Sequence, residues 1–322
     1  ISSDTKYYEE GSLNSPYKYI DKLFKISKKD DTNNVRKYNF IDYAKMHLTS
    51  VECNYILNSF GYYTQLVKMN AHDAFKLLNS MNPNNNFYTL KPSMNIIINK
   101  LYENIIKIGG IIKINNSVSD ITYDMKKFII TSNGIKYESN ICICAIPKPN
   151  LLKFSILKPI KQLLNSIDYK SLCRIYSIFD KDNIWFKNIT KTTMNNKSRY
   201  IIPIDKENGL IMISYSDGKF ADYWLKLYNK NEEKFIEELK TNVKNALGYS
   251  IESPILTKVC YWKCGTAFWT KNNNSTILSK KVLKPFDEIP LFICGENYST
   301  TQGWMEGALE TSMKVVSYLS IL

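Results

Sequence analysis

Apolar and polar positions recur in this chain with two periods, one helical and one of strands, and their order predicts the elements. Between about residues 15 and 80, apolar residues fall at helical spacing over 17–26, 40–48, 51–60 and 72–78, so this part is expected to be mainly helical. A longer helix is predicted over 95–108, where Ile97, Leu101, Ile105 and Ile108 share a face and Gly109-Gly110 supply the stop. Strands are expected at 111–115, 117–121, 127–132 and 135–138, with Asn133-Gly134 as a hairpin turn. A buried strand at 141–145 stops at Pro147, and the segment 153–164 runs into a strand at 171–179. Two more strands, 201–204 and 210–215, precede an amphipathic helix at 232–247 closed by Gly248.

The stretch 291–319 has the sharpest pattern. Leu291-Phe292-Ile293-Cys294 is an apolar run of strand length, Gly295-Glu296 ends it, and 297–302 is a polar loop. From Gly303 onward Met305, Ala308, Leu309, Met313, Val316 and Leu319 recur at helical spacing. The predicted helix carries small residues (Gly303, Gly307, Ala308) in its first turns. They would let a ligand approach the unpaired N–H groups at the positive end of the helix dipole. An ordinary core strand and amphipathic helix would give the same pattern.

Length and composition set the frame. The 322 residues suffice for one large or two moderate domains with ample core. No apolar run is long enough for a transmembrane helix, and the opening residues are not signal-like. The seven cysteines are odd in number and lie mostly in apolar runs, as expected of reduced core residues in an intracellular, cytoplasmic protein. Cys260 and Cys264 lack a second ligand pair, and His47 and His72 are remote from them, so no metal site is read. A net charge of +13 raises the question of a polyanion partner. The lysines are spread along the chain without a basic-aromatic module, so nucleic acid is not the expected partner. Richness in Lys, Asn, Ile and Tyr suits the biased genome of an AT-rich parasite or a giant virus, which would place the protein in host cytoplasm or virion.

The run GEN-x4-QGWMEGALE-x-S at 295–312 resembles the C-terminal FAD-binding signature of the flavin-containing amine oxidases. The resemblance implies an α/β fold of the two-domain FAD-oxidoreductase type. Its discontinuous FAD-binding domain would come from 111–149 and 291–322, and a mixed-sheet and helical substrate domain from 1–110 and 150–290. It also implies that Glu296 binds the ribityl-pyrophosphate region of FAD and that the Met305 backbone N–H meets the flavin pyrimidine edge. Gly295, Gln302, Gly303, Trp304 and Ala308 would line the same cofactor site. A helix N-terminus beside the anionic N1 region of a reduced flavin would favour reduction. The succession of helix, Gly-Gly, strand, V-x-x-I, hairpin, apolar strand and A-x-P is similar to the family's arrangement around the FAD adenosine. It puts Val118 at the adenine through its backbone, with Ala145 and Pro147 close by.

The run VCYWKCGTAFW at 259–269 resembles the family's late strand-turn. Trp262 would pack near the flavin ring, and Phe268 (or Trp269, the interval being short) would face the substrate. Ala267 stands where members with covalently bound flavin carry cysteine, so FAD is expected to be noncovalent. Counting back from Trp185, Arg174 matches a lysine that holds a water near flavin N5; an arginine could order that water but not act as a base. The implied reaction is oxidation of a small amine, with a hydride equivalent passing to flavin N5 and O2 as acceptor. Trp304 and Phe268 would be aromatic walls of the amine site.

Two features depart from the family. The strand, G-x-G-x-x-G and helix of a dinucleotide-binding unit is not found in these residues, while 7–13 is similar to the segment that follows it. As the first residue is Ile, the beginning of the natural protein is expected to be absent. Residues 92–94 read Pro-Ser-Met where relatives have Gly-Gly-Met. Alternatives are a cofactor-free relative with a scaffold role and a basic nucleic-acid-associated module.

Overall fold

The computed structural model describes residues 15–81, 90–91 and 93–320, so the motif at 7–13 and Pro92 lie outside the described residues. Helices α1 (Tyr17–Ser27), α2 (Thr32–Arg36), α3 (Phe40–Ala44), α4 (Ser50–Ser59), α5 (Thr64–Val67) and α6 (Ala71–Ser80) come first. Asp31, Asn39, Thr49 and Asn70 cap four of them by accepting first-turn amides, and Glu52 completes a capping box with Thr49. Their apolar faces close on a core that includes Leu23, Phe40, Tyr43, Ile56, Leu66 and Leu78.

His72 sits on this layer. Burial first, and the Arg36 charge second, push its imidazole down to about 4. Its folded value lies below its unfolded one, so the stabilisation from a neutral His72 is complete above about pH 6.5 and is lost as pH falls towards the folded value. We expect about 2 kcal/mol of stability to disappear over that window through this group. Urea unfolding at pH 7 and pH about 4.5 should show a smaller acid loss in His72→Gln than in the wild type; equal losses would remove His72 as the cause.

Next come α7 (Asn95–Lys107) and an antiparallel meander of β1 (Val118–Asp124), β2 (Lys127–Ser132) and β3 (Ile135–Ser139). Asn133 and Gly134 both take positive φ, +50° and +79°, as a two-residue hairpin turn requires. Strand β4 (Cys142–Cys144) leads through α8 (Lys148–Leu151) and α9 (Lys161–Leu164) into β5 (Ile167–Ile178). With β6 (Thr192–Thr193), β7 (Tyr200–Asp205), β8 (Leu210–Asp217) and β9 (Leu256–Trp269), β5 makes an antiparallel sheet in the order β6-β7-β8-β5-β9. Helices α10 (Lys219–Lys230) and α11 (Glu232–Leu247) bury Trp224, Phe235 and Leu239 with Cys173, Ile175, Ile211 and Ile213 of that sheet. Gly248 stops α11 in the left-handed region at φ +76°. After α12 (Ser275–Leu283), β10 (Leu291–Ile293) pairs in parallel with β4, and α13 (Met305–Leu319) closes the described chain.

At four points the structure departs from or adds to what the pattern predicts. Residues 111–115 form no strand: Ile111 and Ile114 are 83% and 74% exposed, and an apolar run without a paired neighbour does not hold strand geometry. Helix α7 forms as expected, but none of its residues is buried, so its apolar face is a surface among the described residues. The apolar stripe of α13 is likewise mostly outside, with Met305, Leu309, Met313 and Val316 exposed by 56%, 59%, 70% and 64%. Its buried face is Gly307, Thr311 and Val315. Finally, the strand-turn expected within 259–269 is a single strand, because β9 runs unbroken through Gly265. A Cβ there would stand 2.2 Å from Leu172 Cβ, beside a register shift in the β5–β9 pairing, so close approach explains the glycine.

All seven cysteines are free thiols, and only Cys260 and Cys264 are not buried. Among the described residues, no helix is long and apolar enough to cross a membrane, and no group of side chains is arranged to hold a metal ion.

Candidate functional site

The site begins where two parallel strands end. Leu291, Phe292 and Ile293 pair with Cys142, Ile143 and Cys144, and the Cys294 amide donates to Cys144 O at 3.1 Å. Ala145 and Gly295 therefore emerge side by side at the carboxyl ends of β4 and β10. Gly295 has φ +129°, a backbone state open essentially to glycine alone, and turns the chain into a short 3-10 helix over Glu296–Tyr298. Glu296 folds back so that its carboxylate accepts the Gly303 N–H. Burial raises its pKa, and the Gly303 amide opposes that rise. Tyr169, on β5, has its phenol pushed up first by burial and then by the Glu296 charge, and it accepts the Lys148 amide at 3.2 Å, tying the segment after Pro147 to the same corner. Nothing in the local sequence around Tyr169 signals this role.

The loop from 297 to 304 hangs on the end of β9. Trp269 is 1% exposed; its Nε1 donates to Ser299 O at 2.9 Å, and its amide donates to Gln302 Oε1 at 3.1 Å. Gln302 Nε2 donates in turn to Asn297 O at 2.6 Å, so both ends of this buried amide are engaged with backbone. Tyr298 packs its ring on Trp269 and donates its hydroxyl to Leu164 O at 2.9 Å. Gly303 adopts φ +87°, and Trp304 Nε1 donates to Ser80 Oγ at 3.0 Å. A cavity of about 250 Å³ lies between this loop and α6, lined by Lys76, Leu77, Ser80, Trp269, Thr300 and Gln302 among others. Helix α13 has no side-chain cap, which leaves the first-turn amides at Met305 without a side-chain acceptor.

The remaining predicted residues fall into three places. Val118 is 38% exposed at the start of β1, while Ala145 and Pro147 are exposed just beyond β4. Arg174 and Trp262 meet on the five-stranded sheet, with the guanidinium carbon 5.9 Å from the indole centre. Arg174 Nη2 also donates to the Tyr215 hydroxyl at 3.3 Å and covers that ring at 4.7 Å. Phe268 is 3% exposed and belongs to the N-terminal helical core, against which Trp304 packs. The two aromatics thus share one apolar cluster, in which Phe268 is interior. Ala267 is also buried. Gly295, Glu296, Gln302, Gly303, Trp304, Met305 and Ala308 converge on one loop and helix start, while Arg174 and Trp262 form a second group. Sequence reasoning kept Trp269 only as an alternative to Phe268, whereas it is the anchor of the loop.

Known proteins can be set beside this geometry. No protein-family model matches the chain. An uncharacterized protein of Acanthamoeba polyphaga mimivirus is 26% identical over 119 residues, which cover 31% of this chain and only 23% of that protein. A solved structure of a putrescine oxidase double mutant, redesigned in its cofactor binding, matches 97% of this chain and 77% of its own with a TM-score of 0.75. The chain has a putrescine-oxidase-like fold. This α/β likeness runs through nearly the whole chain at 12% identity, so it is a likeness of architecture.

Proposed function

We propose that the chain is part of an FAD-dependent amine oxidase and that 295–308 is its cofactor-binding element. The observation that carries this reading is the meeting of three features at one corner. A half-buried Glu296 carboxylate, the uncapped start of α13 and the carboxyl ends of the parallel strands β4 and β10 come together there. Ligands of open α/β sheets bind at such strand ends, and helix starts favour their anionic parts.

The residues present fit a flavin dinucleotide. Glu296 has acceptor capacity beyond its bond to Gly303 for the hydroxyls of a ribityl chain. The first-turn amide of Met305 and the small Ala308 suit a ring edge, and the exposed Val118, Ala145 and Pro147 suit the adenosine side. When bound, FAD supplies the redox step, taking a hydride equivalent from an amine and passing electrons to O2. Trp262 offers a half-exposed face for the flavin ring, and Trp304 with Phe268 makes the apolar side that keeps water from the amine. Arg174 stays charged, so it orders a polar group but does not take up a proton. Ala267 offers no thiol for a covalent link, which leaves the cofactor noncovalent.

Protein supplied with FAD should show a flavin absorption band, and acid precipitation should release all of that flavin. Glu296→Ala should weaken FAD binding at least tenfold, as expected for loss of a charge-assisted hydrogen bond of about 1.5–3 kcal/mol. Glu296→Gln, which can still accept the Gly303 amide, should lose less. Absence of flavin binding by the wild type would overturn the reading, and unchanged affinity in a folded Glu296→Ala would remove Glu296 as the anchor.

A further inference from the structure

Arg174, on the five-stranded sheet, and Lys191, beside its edge strand, have no carboxylate partner among the described residues. Arg174, on the central strand β5, has the phenols of Tyr215 and Tyr176 beside it and the Trp262 ring at 5.9 Å, while its Nε is buried without a hydrogen-bond partner. Lys191, just before β6, has Nζ 5.2 Å from the centre of the Tyr200 ring, and burial pushes its pKa down. The two are joined by one aromatic cluster. The Tyr200 and Tyr215 rings are 6.0 Å apart, and Tyr62 packs on both at 5.2 and 5.4 Å. Nearby acids are engaged elsewhere: Asp217 accepts the amides of Tyr63 and Thr64, and Asp222 accepts the hydroxyls of Ser171 and Tyr261.

This platform is held firmly. The Arg199 guanidinium donates to the carbonyls of Leu57, Phe60 and Gly61, fixing the end of α4 against β7. A Cβ on Gly61 would fall 1.8 Å from Tyr200 Cε2, so the backbone lies directly on that ring. Ring faces attract a cation but give the in-plane Arg174 Nε–H no acceptor. A carboxylate does, because it can take Nε–H and an Nη–H together in the fork geometry of guanidinium. Trp262, 45% exposed, is the solvent-facing ring beside Arg174 in this cluster. A second ammonium group brought here would meet two like charges.

We propose that the Arg174–Lys191 face receives the carboxylate of the substrate, so that the amine oxidised is an amino acid rather than a diamine or polyamine. The choice of substrate rests on the amine-oxidase reading above; the anion site itself does not.

The test compares leucine, 3-methylbutylamine (leucine without its carboxylate), 4-methylpentanoate (leucine without its amine) and 1,4-diaminobutane. Each is titrated calorimetrically into the full chain with and without FAD. Leucine and 4-methylpentanoate should bind at least tenfold more tightly than either amine. Arg174→Met should bring that ratio close to one, Lys191→Met should reduce it severalfold, and Arg174→Lys should recover part of it. Amines binding as tightly as the acids, no acid binding at all, or an unchanged ratio in Arg174→Met would each overturn the proposal. Acid preference without any flavin band would leave the anion site standing and remove the oxidase reading. A flavin-loaded protein that prefers amines would do the reverse.

Discussion

Trp269→Ala should destabilise the protein by about 4 kcal/mol, within the range for truncating a buried tryptophan. The indole is 1% exposed and lies in the core built from β1, β4, β10 and the 151–167 segment, with Tyr298 edge-on at 6.2 Å. Its removal opens a cavity and also strips Ser299 O of the Nε1 donor. An unsatisfied buried acceptor adds about 1–3 kcal/mol of its own unless water enters. The loss falls on the loop that carries Glu296, Gly303 and Trp304, so FAD affinity should fall together with stability. Trp269→Phe separates the terms, since it keeps most of the packing and lacks only the indole N–H. Urea unfolding of both variants checks this, and a change under about 1 kcal/mol in Trp269→Ala would show that the loop is held by other contacts.

What the sequence could reveal followed from how local each signal is. The hairpin at Asn133-Gly134, helix α11 with its Gly248 stop, and the strand Leu291–Ile293 are written in adjacent residues, and the fold has them where the pattern predicts. Helix α10 is written just as locally, with Ala221, Trp224 and Tyr228 at helical spacing. The facing of α13 was not legible. Periodicity finds an apolar stripe but not which side meets the body of the protein, and here small and polar residues mark the buried side. Predicted strand 111–115 failed because a strand is a property of its partner as well as of itself. In the candidate site, the signature residues from Gly295 to Ala308 do converge, since they are consecutive. The supports of Tyr169 and Trp269 come from strands more than a hundred and about thirty residues away, and no local spacing encodes such contacts.

Gly307→Val should destabilise the ligand-free protein by about 3 kcal/mol, at the upper end of ordinary overpacking. A Cβ on Gly307 would stand 2.3 Å from Ser299 Oγ and 2.4 Å from the backbone oxygen of Thr301, distances at which something must shift. The serine hydroxyl could rotate, but the Thr301 carbonyl belongs to the loop fixed by Trp269 and Gln302. Strain would therefore push the start of α13 away from that loop and pull on Thr311, whose hydroxyl accepts the Gly295 amide at 2.9 Å. Valine adds a branched Cβ to this clash, whereas alanine would recover about 1 kcal/mol through its better helix propensity. The result also decides why the signature has a glycine here. If its smallness served only the approach of a ligand, Gly307→Val would leave thermal and urea stability of the ligand-free protein unchanged and reduce FAD affinity alone. Close packing of the helix on its own loop predicts loss of both, with stability falling even when no cofactor is present.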